Sequence, residues 1–124
     1  MPPRTIAIIG ASNDRRKFGN RAVRAYTRRG WQVYPVNPHE TTIEGRRVHR
    51  SVADIPVSQI DRISLYVPAE VGLQVLEGIA RNPPRELWIN PGAESPELIA
   101  RAQELGLNVV VGCSIVDIGE SPDI

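Results

Sequence analysis

Short apolar runs alternate with segments of helical periodicity along this chain, and that alternation constrains the fold more than any other feature of the sequence. Each run has the length of a β-strand, and most are followed by residues whose apolar positions recur every three or four residues. The pattern is typical of a parallel sheet with helices on both faces. The predicted strands are residues 5–9, 31–36, 62–67, 86–89 and 107–111.

Local signals mark the helices between these strands. The predicted helices begin near residues 20, 51, 68 and 95. Ser51 and Ser95 are suited to N-cap positions, and Gly30 and Gly106 are suited to the stops of the first and last helices. The segment that follows residue 111 has little periodicity and is predicted to be an irregular tail.

These elements predict one α/β domain that spans residues 1–124, with a five-stranded, mainly parallel sheet and helices on both faces. Because crossovers between parallel strands are right-handed and consecutive strands are usually neighbours, we predict the strand order 3-2-1-4-5.

Composition excludes several classes of function. The formal net charge of +1 gives no electrostatic reason to expect a nucleic acid or an anionic membrane as a partner. No apolar stretch approaches the length of a signal sequence or a membrane span, so we expect a cytoplasmic protein. One cysteine and two histidines exclude an internal disulfide framework and any recognisable metal-ligand spacing.

Ligands of open α/β sheets bind beyond the carboxyl ends of the strands, where the strand order reverses. Every predicted strand ends there in turn-forming residues, and since any strand end needs such residues, no single one is diagnostic. The candidate residues at these ends are Gly10, Ala11, Ser12, Asn37, Pro38, Val67, Pro68, Asn90, Pro91, Gly92 and Cys113.

The loop after the first strand is more informative. Gly10 and Gly19 bracket a polar segment with three consecutive cations, and Gly19-Asn20 opens the first helix. Free N–H groups and the dipole at a helix start form an anion site, to which Ser12 and Lys17 can add donors. We therefore predict a phosphate-binding loop, against the alternative of a solvated charged turn.

The residues around this loop narrow the choice of phosphate ligand. The helix start reads Gly19-Asn20-Arg21, not the Gly-Lys-Ser/Thr of a Walker A loop. The second strand ends in Asn37, where NAD sites usually carry an acidic residue, and His39 follows closely. A neutral strand end tolerates a ribose that carries its own phosphate, so NADP and coenzyme A both remain open.

A resemblance separates these two ligands. The stretches IAIIGASNDRRKFGN, YPVNP, EGRRVHRSVADIP, LYVPAEVGLQVLEGI and LWINPGAESPELIARAQELGLNVVVGC occur in an order that resembles the small single-domain CoA-binding proteins. These proteins are related to the CoA-binding domain of the succinyl-CoA synthetase alpha subunit. The resemblance implies a Rossmann-like fold over roughly residues 5–113.

The resemblance also implies roles for the candidate residues. The loop from Gly10 to Asn20 would hold the CoA phosphates, with Ser12 and Lys17 as donors. Asn37, Pro38 and His39 would border the adenosine end. The remaining strand ends, including Asn90, would line the rest of the channel. Cys113 is either a small buried apolar residue or lies within reach of the pantetheine thiol.

No catalytic set is recognisable in the sequence, because it offers no Ser-His-Asp triad, nucleophile elbow or carboxylate pair with a base. We therefore expect a non-enzymatic module that binds CoA or acyl-CoA, with an unknown protein partner. The alternatives are an NADP-dependent enzyme or regulator, and an interaction domain without a ligand. The last would use the stripe formed by Arg21, Arg24 and Arg28, which we expect to be a solvated helix face.

Overall fold

Strands and helices alternate along the chain as the sequence predicts. A computed structural model describes residues 2–124. Its elements, in chain order, are β1 (Thr5–Ile9), α1 (Phe18–Arg28), β2 (Gln32–Val36), β3 (Thr42–Ile43), β4 (Arg46–Arg47), a 3-10 helix (Val52–Asp54), β5 (Arg62–Leu65), α2 (Ala69–Arg81), β6 (Glu86–Ile89), α3 (Pro96–Glu104), β7 (Val109–Val111) and α4 (Ser114–Asp117).

The main sheet has five strands in the order β2-β1-β5-β6-β7, and every neighbouring pair is parallel. The predicted fold class is confirmed, but the predicted strand order is wrong. Strand β5, the third long strand, pairs with β1 instead of lying outside β2. All four residues of β5 are buried, so it needs neighbours on both sides, whereas β2 begins with exposed Gln32 and tolerates the edge.

Helices cover both faces of the sheet because successive residues of β1 point in opposite directions. Ile6 and Ile8 pack with α1 and with Ile115 of α4. On the opposite face, Ala7 and Ile9 share a second core with the apolar sides of α2 and α3, including Leu76 and Leu98. The predicted N-cap of α3 is confirmed, since the Ser95 hydroxyl accepts a hydrogen bond from the amide of Leu98 at 3.0 Å.

Two elements were not predicted. The turn-rich segment after β2 contains a β-hairpin, β3–β4, whose strands are too short to show an alternating pattern. The segment after β7 contains α4, a single helical turn anchored by buried Ile115. The helix predicted to begin at Ser51 is a short 3-10 helix, Val52–Asp54, and the Ser51 side chain makes no capping bond to the backbone of the described residues.

The arginine stripe on α1 does not face solvent freely, so this expectation is wrong. It holds the last residues of the chain. Arg21 donates to the carbonyl of Pro122 at 2.8 Å, and Arg24 donates to the carbonyl of Ile124 at 3.2 Å. Arg28 donates to the carboxylate of Glu120 at 3.0 Å, as does the neighbouring Arg29 at 2.7 Å. Because the last residues of the chain cover these side chains, most of the stripe is not available to bind another protein.

The end of β1 and the start of α1 approach each other with backbone atoms in contact. Gly10 has φ +91°, and a Cβ there would lie 2.5 Å from the carbonyl oxygen of Tyr66. A Cβ on Gly19 would overlap the carbonyl oxygen of Gly10. Both glycines are therefore required by contact with backbone, which cannot rotate away as a side chain does.

We predict that Gly19→Ala lowers the free energy of unfolding by about 1–3 kcal/mol, because the added methyl group forces α1 away from β1. Gly78→Ala is the matched control: Gly78 lies in α2 with no atom within 4 Å of an added Cβ. This change should stabilise the helix by about 0.5–1 kcal/mol. Denaturant unfolding of both variants tests the pair, and equal effects would contradict the proposed backbone contact.

Candidate functional site

A cleft of about 690 Å³ opens at the carboxyl edge of the sheet. It lies where the strand order reverses, because the chain moves from β1 to β2 on one side and from β5 through β6 to β7 on the other. With the corrected order, this switch point lies between β1 and β5. The loops after β1, β5 and β6 therefore form the walls.

Ten of the predicted residues line this cleft, and they come from four separate loops. They are Gly10, Ala11, Ser12, Lys17, Gly19, Asn37, Val67, Pro68, Pro91 and Gly92. Four more residues of the lining were not among the predicted site residues, namely Arg16, Phe18, Tyr66 and Ala93, although Arg16 and Phe18 lie within the predicted loop from Gly10 to Asn20. Each of the four directly adjoins a predicted residue, and Tyr66 was missed because β5 ends at Leu65, two residues earlier than predicted.

The loop between β1 and α1 is held in shape by its own hydrogen bonds and by the loop after β2. The Ser12 hydroxyl accepts from the amide of Asp14 at 3.0 Å, and the amide of Lys17 donates to the carbonyl of Asp14 at 3.0 Å. The Asn37 side chain donates to the carbonyl of Ala11 at 2.9 Å and accepts from the amide of His39 at 2.7 Å. Asn37 thus fastens two loops together at the mouth of the cleft.

The three consecutive cations of this loop differ in their partners. Arg15 faces the carboxylate of Glu44 at 3.9 Å, and Arg16 makes a 3.0 Å ion pair with Asp14. Within residues 2–124, no carboxylate lies within ion-pair distance of the Lys17 ammonium. Lys17 is also the only lysine of the sequence. The cleft therefore offers one cation that no carboxylate of the described residues neutralises.

The start of α1 adds donors beside Lys17. The helix begins at Phe18, carries no acidic residue in its first turn and has no side-chain cap. Within the described residues, the backbone N–H groups of Phe18 and Gly19 donate to no acceptor. Two free amides, the helix dipole and an unpaired ammonium together favour an anion at this point of the cleft.

The facing wall is mostly apolar. It consists of Tyr66, Val67 and Pro68 after β5, and of the residues around Pro91 after β6. The Tyr66 hydroxyl lies 3.1 Å from that of Ser114, and burial raises the pKa of Tyr66 well above its usual value. Tyr66 therefore stays neutral at physiological pH and supplies a ring surface, not a charge.

Two predicted site residues serve the structure behind the cleft. Asn90 is buried, and its amide donates to the Ser64 hydroxyl at 2.7 Å and to the Leu65 carbonyl at 2.9 Å, while its oxygen accepts from the amide of Ser114 at 2.9 Å. Asn20 is also buried and donates to the Ser12 carbonyl at 2.8 Å. Neither residue lines the cleft, and the polar atoms of both form hydrogen bonds within the protein.

The remaining predicted residues lie outside the lining as well. Pro38 and His39 are exposed beyond Asn37. Cys113 is half-buried at the N-cap of α4 and packs against the core beneath α1. Among residues 2–124, no group of histidine, cysteine, aspartate or glutamate side chains is arranged to hold a metal ion. None of the described helices is long and apolar enough to cross a membrane.

A doubly wound α/β domain with a glycine-bracketed helix start at its switch point belongs to the Rossmann-like class, which binds phosphate-bearing ligands at this place. Sequence comparison identifies the family. Residues 4–119 match the model of the CoA binding domain, and the chain belongs to that family.

Two curated relatives are much longer than this chain. It is 39% identical over 75 residues to the alpha subunit of acetate–CoA ligase [ADP-forming] II from Pyrococcus furiosus, which covers 60% of this chain and 16% of that subunit. It is 35% identical over 75 residues to acetate–CoA ligase [ADP-forming] from Methanocaldococcus jannaschii, which covers 60% of this chain and 10% of the ligase.

Solved structures include relatives of similar size. A conserved hypothetical protein from Pyrococcus furiosus has a TM-score of 0.84 and 36% identity, with 92% of this chain and 98% of that chain covered. An acetyl-coenzyme A synthetase from Ca. Korarchaeum cryptofilum has a TM-score of 0.75 and 28% identity, with 87% of this chain and 25% of that chain covered. The fold thus occurs both as a small protein and as part of a large enzyme.

The ion pair between Asp14 and Arg16 leads to a prediction about the pKa of Asp14. The side-chain hydrogen bond from Arg16 lowers the pKa of Asp14 from 3.8 to about 2. Because the folded-state pKa is lowered, the pair's stabilisation is present above pH 3.8 and is lost as the pH falls through about 2. Arg16 is therefore occupied by Asp14 at neutral pH.

We expect an NMR titration of the Asp14 carboxyl carbon to show this depressed pKa in the native protein. In Arg16→Ala the pKa should rise toward 3.8, whereas Arg15→Ala should leave it nearly unchanged because Arg15 does not contact Asp14. A native Asp14 that titrates at its usual value would show that Arg16 is free to meet a ligand.

Proposed function

We propose that this chain binds coenzyme A, or an acyl-CoA, in the cleft between β1 and β5, and catalyses no reaction by itself. The observation that carries the proposal is the Lys17 ammonium, which has no carboxylate partner within residues 2–124, beside the two amides at the start of α1 that donate to no acceptor in the same range. Membership of the CoA binding domain family supports coenzyme A as the ligand to which this anion site belongs.

The chemistry of the cleft fits the two halves of coenzyme A. Lys17 and the amides of Phe18 and Gly19 are suited to phosphate oxygens. The apolar wall around Tyr66 and Pro91 is suited to a less polar chain that continues from the phosphates. A volume of about 690 Å³ also lies in the range of small-molecule sites.

We infer the absence of catalysis from the side chains that line the cleft. The lining contains one lysine, one paired arginine, a neutral tyrosine and a serine, and no carboxylate or histidine among the described residues. Tyr66 cannot act as a base near neutral pH because burial raises its pKa. We therefore propose that any reaction of the bound thiol or acyl group takes place on a partner protein.

A protein partner also fits the comparison with longer proteins. A 75-residue stretch of this chain matches 16% of an acetate–CoA ligase alpha subunit, so in that relative the matching region lies beside much additional protein. We propose that this chain likewise presents its ligand to a separate protein. The second candidate, NADP, is less favoured because the family whose model this chain matches is the CoA binding domain.

Calorimetry with CoA tests the proposal. The native protein should bind CoA and should bind NADP more weakly. Lys17→Ala should weaken CoA binding by about one to two powers of ten, because a charge-assisted hydrogen bond contributes about 1.5–3 kcal/mol. Arg101→Ala, which removes a cation from α3, is the matched control and should leave the affinity unchanged.

The single lysine allows an independent measurement. Acetylation of Lys17 by an amine-selective reagent, followed by peptide mass spectrometry, should be slower when CoA is present. If the native protein binds NADP but not CoA, the proposed ligand is wrong. If the native protein and Lys17→Ala bind CoA with equal affinity, Lys17 does not contact the ligand.

A further inference from the structure

The hairpin β3–β4 contains an unusual backbone conformation. Within residues 2–124, Glu44 is the only residue other than glycine with a positive φ, at 48°, and Gly45 follows with φ +74°. A two-residue hairpin turn with two positive φ values favours Asn-Gly or Gly-Gly, because a long side chain is disfavoured in this conformation. The local turn therefore gives no reason for glutamate at residue 44.

The Glu44 side chain reaches the candidate phosphate loop. One carboxylate oxygen accepts a hydrogen bond from the Asn20 side chain at 3.2 Å, and the other lies 3.9 Å from the Arg15 guanidinium. The same Asn20 nitrogen donates to the carbonyl of Ser12 at 2.8 Å. Glu44 thus helps to orient the buried amide that connects the beginning of the loop to α1.

A second contact joins the hairpin to the same loop. The Asn13 side chain donates to the carboxylate of Glu40 at 2.7 Å and to the carbonyl of Thr42 at 2.9 Å. The hairpin itself is anchored, because Ile43 is fully buried in the core beneath α1. It can therefore act as a fixed support on the side of the loop away from the apolar wall.

We propose that Glu44 is a positioning residue for the phosphate loop, and this inference rests on the proposed binding of CoA. Glu44 is not among the residues that line the cleft. It acts through Asn20 and Arg15, and holds residues 12–20 in the conformation that presents the amides of Phe18 and Gly19. A loop already ordered in the free protein loses less conformational entropy when it binds a ligand.

Three substitutions separate this role from that of a turn residue. Glycine and asparagine both accept a positive φ, but neither side chain reaches Asn20. Glu44→Gly and Glu44→Asn should therefore keep or raise the melting temperature while they weaken CoA binding about fivefold. Glu44→Gln keeps an oxygen acceptor of the same length and should bind CoA within about twofold of the native protein, since the exposed Arg15 pair contributes little.

The matched control is Glu104→Gln, which removes one carboxylate from α3 and should change neither property. If Glu44 served only the hairpin turn, CoA affinity would follow stability. Glu44→Gly and Glu44→Asn would then bind CoA at least as well as the native protein. That result overturns the proposal. Weakened binding with undiminished stability in both variants, and recovery in Glu44→Gln, supports it.

Hydrogen exchange of the free protein gives a test that needs no ligand. The hydrogen-bonded amides of Asp14, Arg16 and Lys17 should exchange about fivefold faster in Glu44→Gly and Glu44→Asn, because the loop loses one of its supports. If the native protein fails to bind CoA, the proposed function fails, and exchange alone then decides the role of Glu44. Unchanged loop exchange in that case overturns it.

Discussion

Helix α1 begins against the carbonyl oxygen of Gly10, with no side chain between the helix and the end of β1. This contact fixes where the first amides of α1 lie relative to the sheet, and the other parts of the site are arranged around it. The loop that connects the two glycines must fold outward over the carboxyl edge of the sheet. Its cations and its free amides are thereby placed at the switch point between β1 and β5.

Protein carboxylates then decide which positive charge remains for a ligand. Asp14 occupies Arg16 and Glu44 faces Arg15, whereas Lys17 keeps an unpaired ammonium among the described residues. A sequence with three adjacent cations suggests a broad positive patch. Among the described residues, Lys17 is the one of the three that lines the cleft without a carboxylate partner, and one ammonium beside two amides is a more specific arrangement for a single phosphate group.

The rear of the site is stabilised by a buried polar network. Asn90 joins β5, β6 and the start of α4, and Ser114 lies close to the hydroxyls of both Ser64 and Tyr66. Since a buried polar group without a partner is costly, these side chains must satisfy one another. The network therefore ties α4, an element of only one turn, to the wall of the cleft.

Local sequence signals were sufficient to predict the α/β class, the bounds of β1 and β6, the N-cap of α3 and the location of a glycine-bracketed loop at a helix start. These features depend on local periodicity, turn chemistry and capping, which neighbouring residues encode. The folded molecule was needed to establish the strand order, the structural roles of Asn20 and Asn90, and the docking of the last residues on the arginines of α1. Each of these depends on contacts between residues far apart in the chain, and several sets of such contacts are compatible with the same local pattern. Burial of all of β5 selects its central position, and the pairing of each polar group selects whether it faces the cleft or the core.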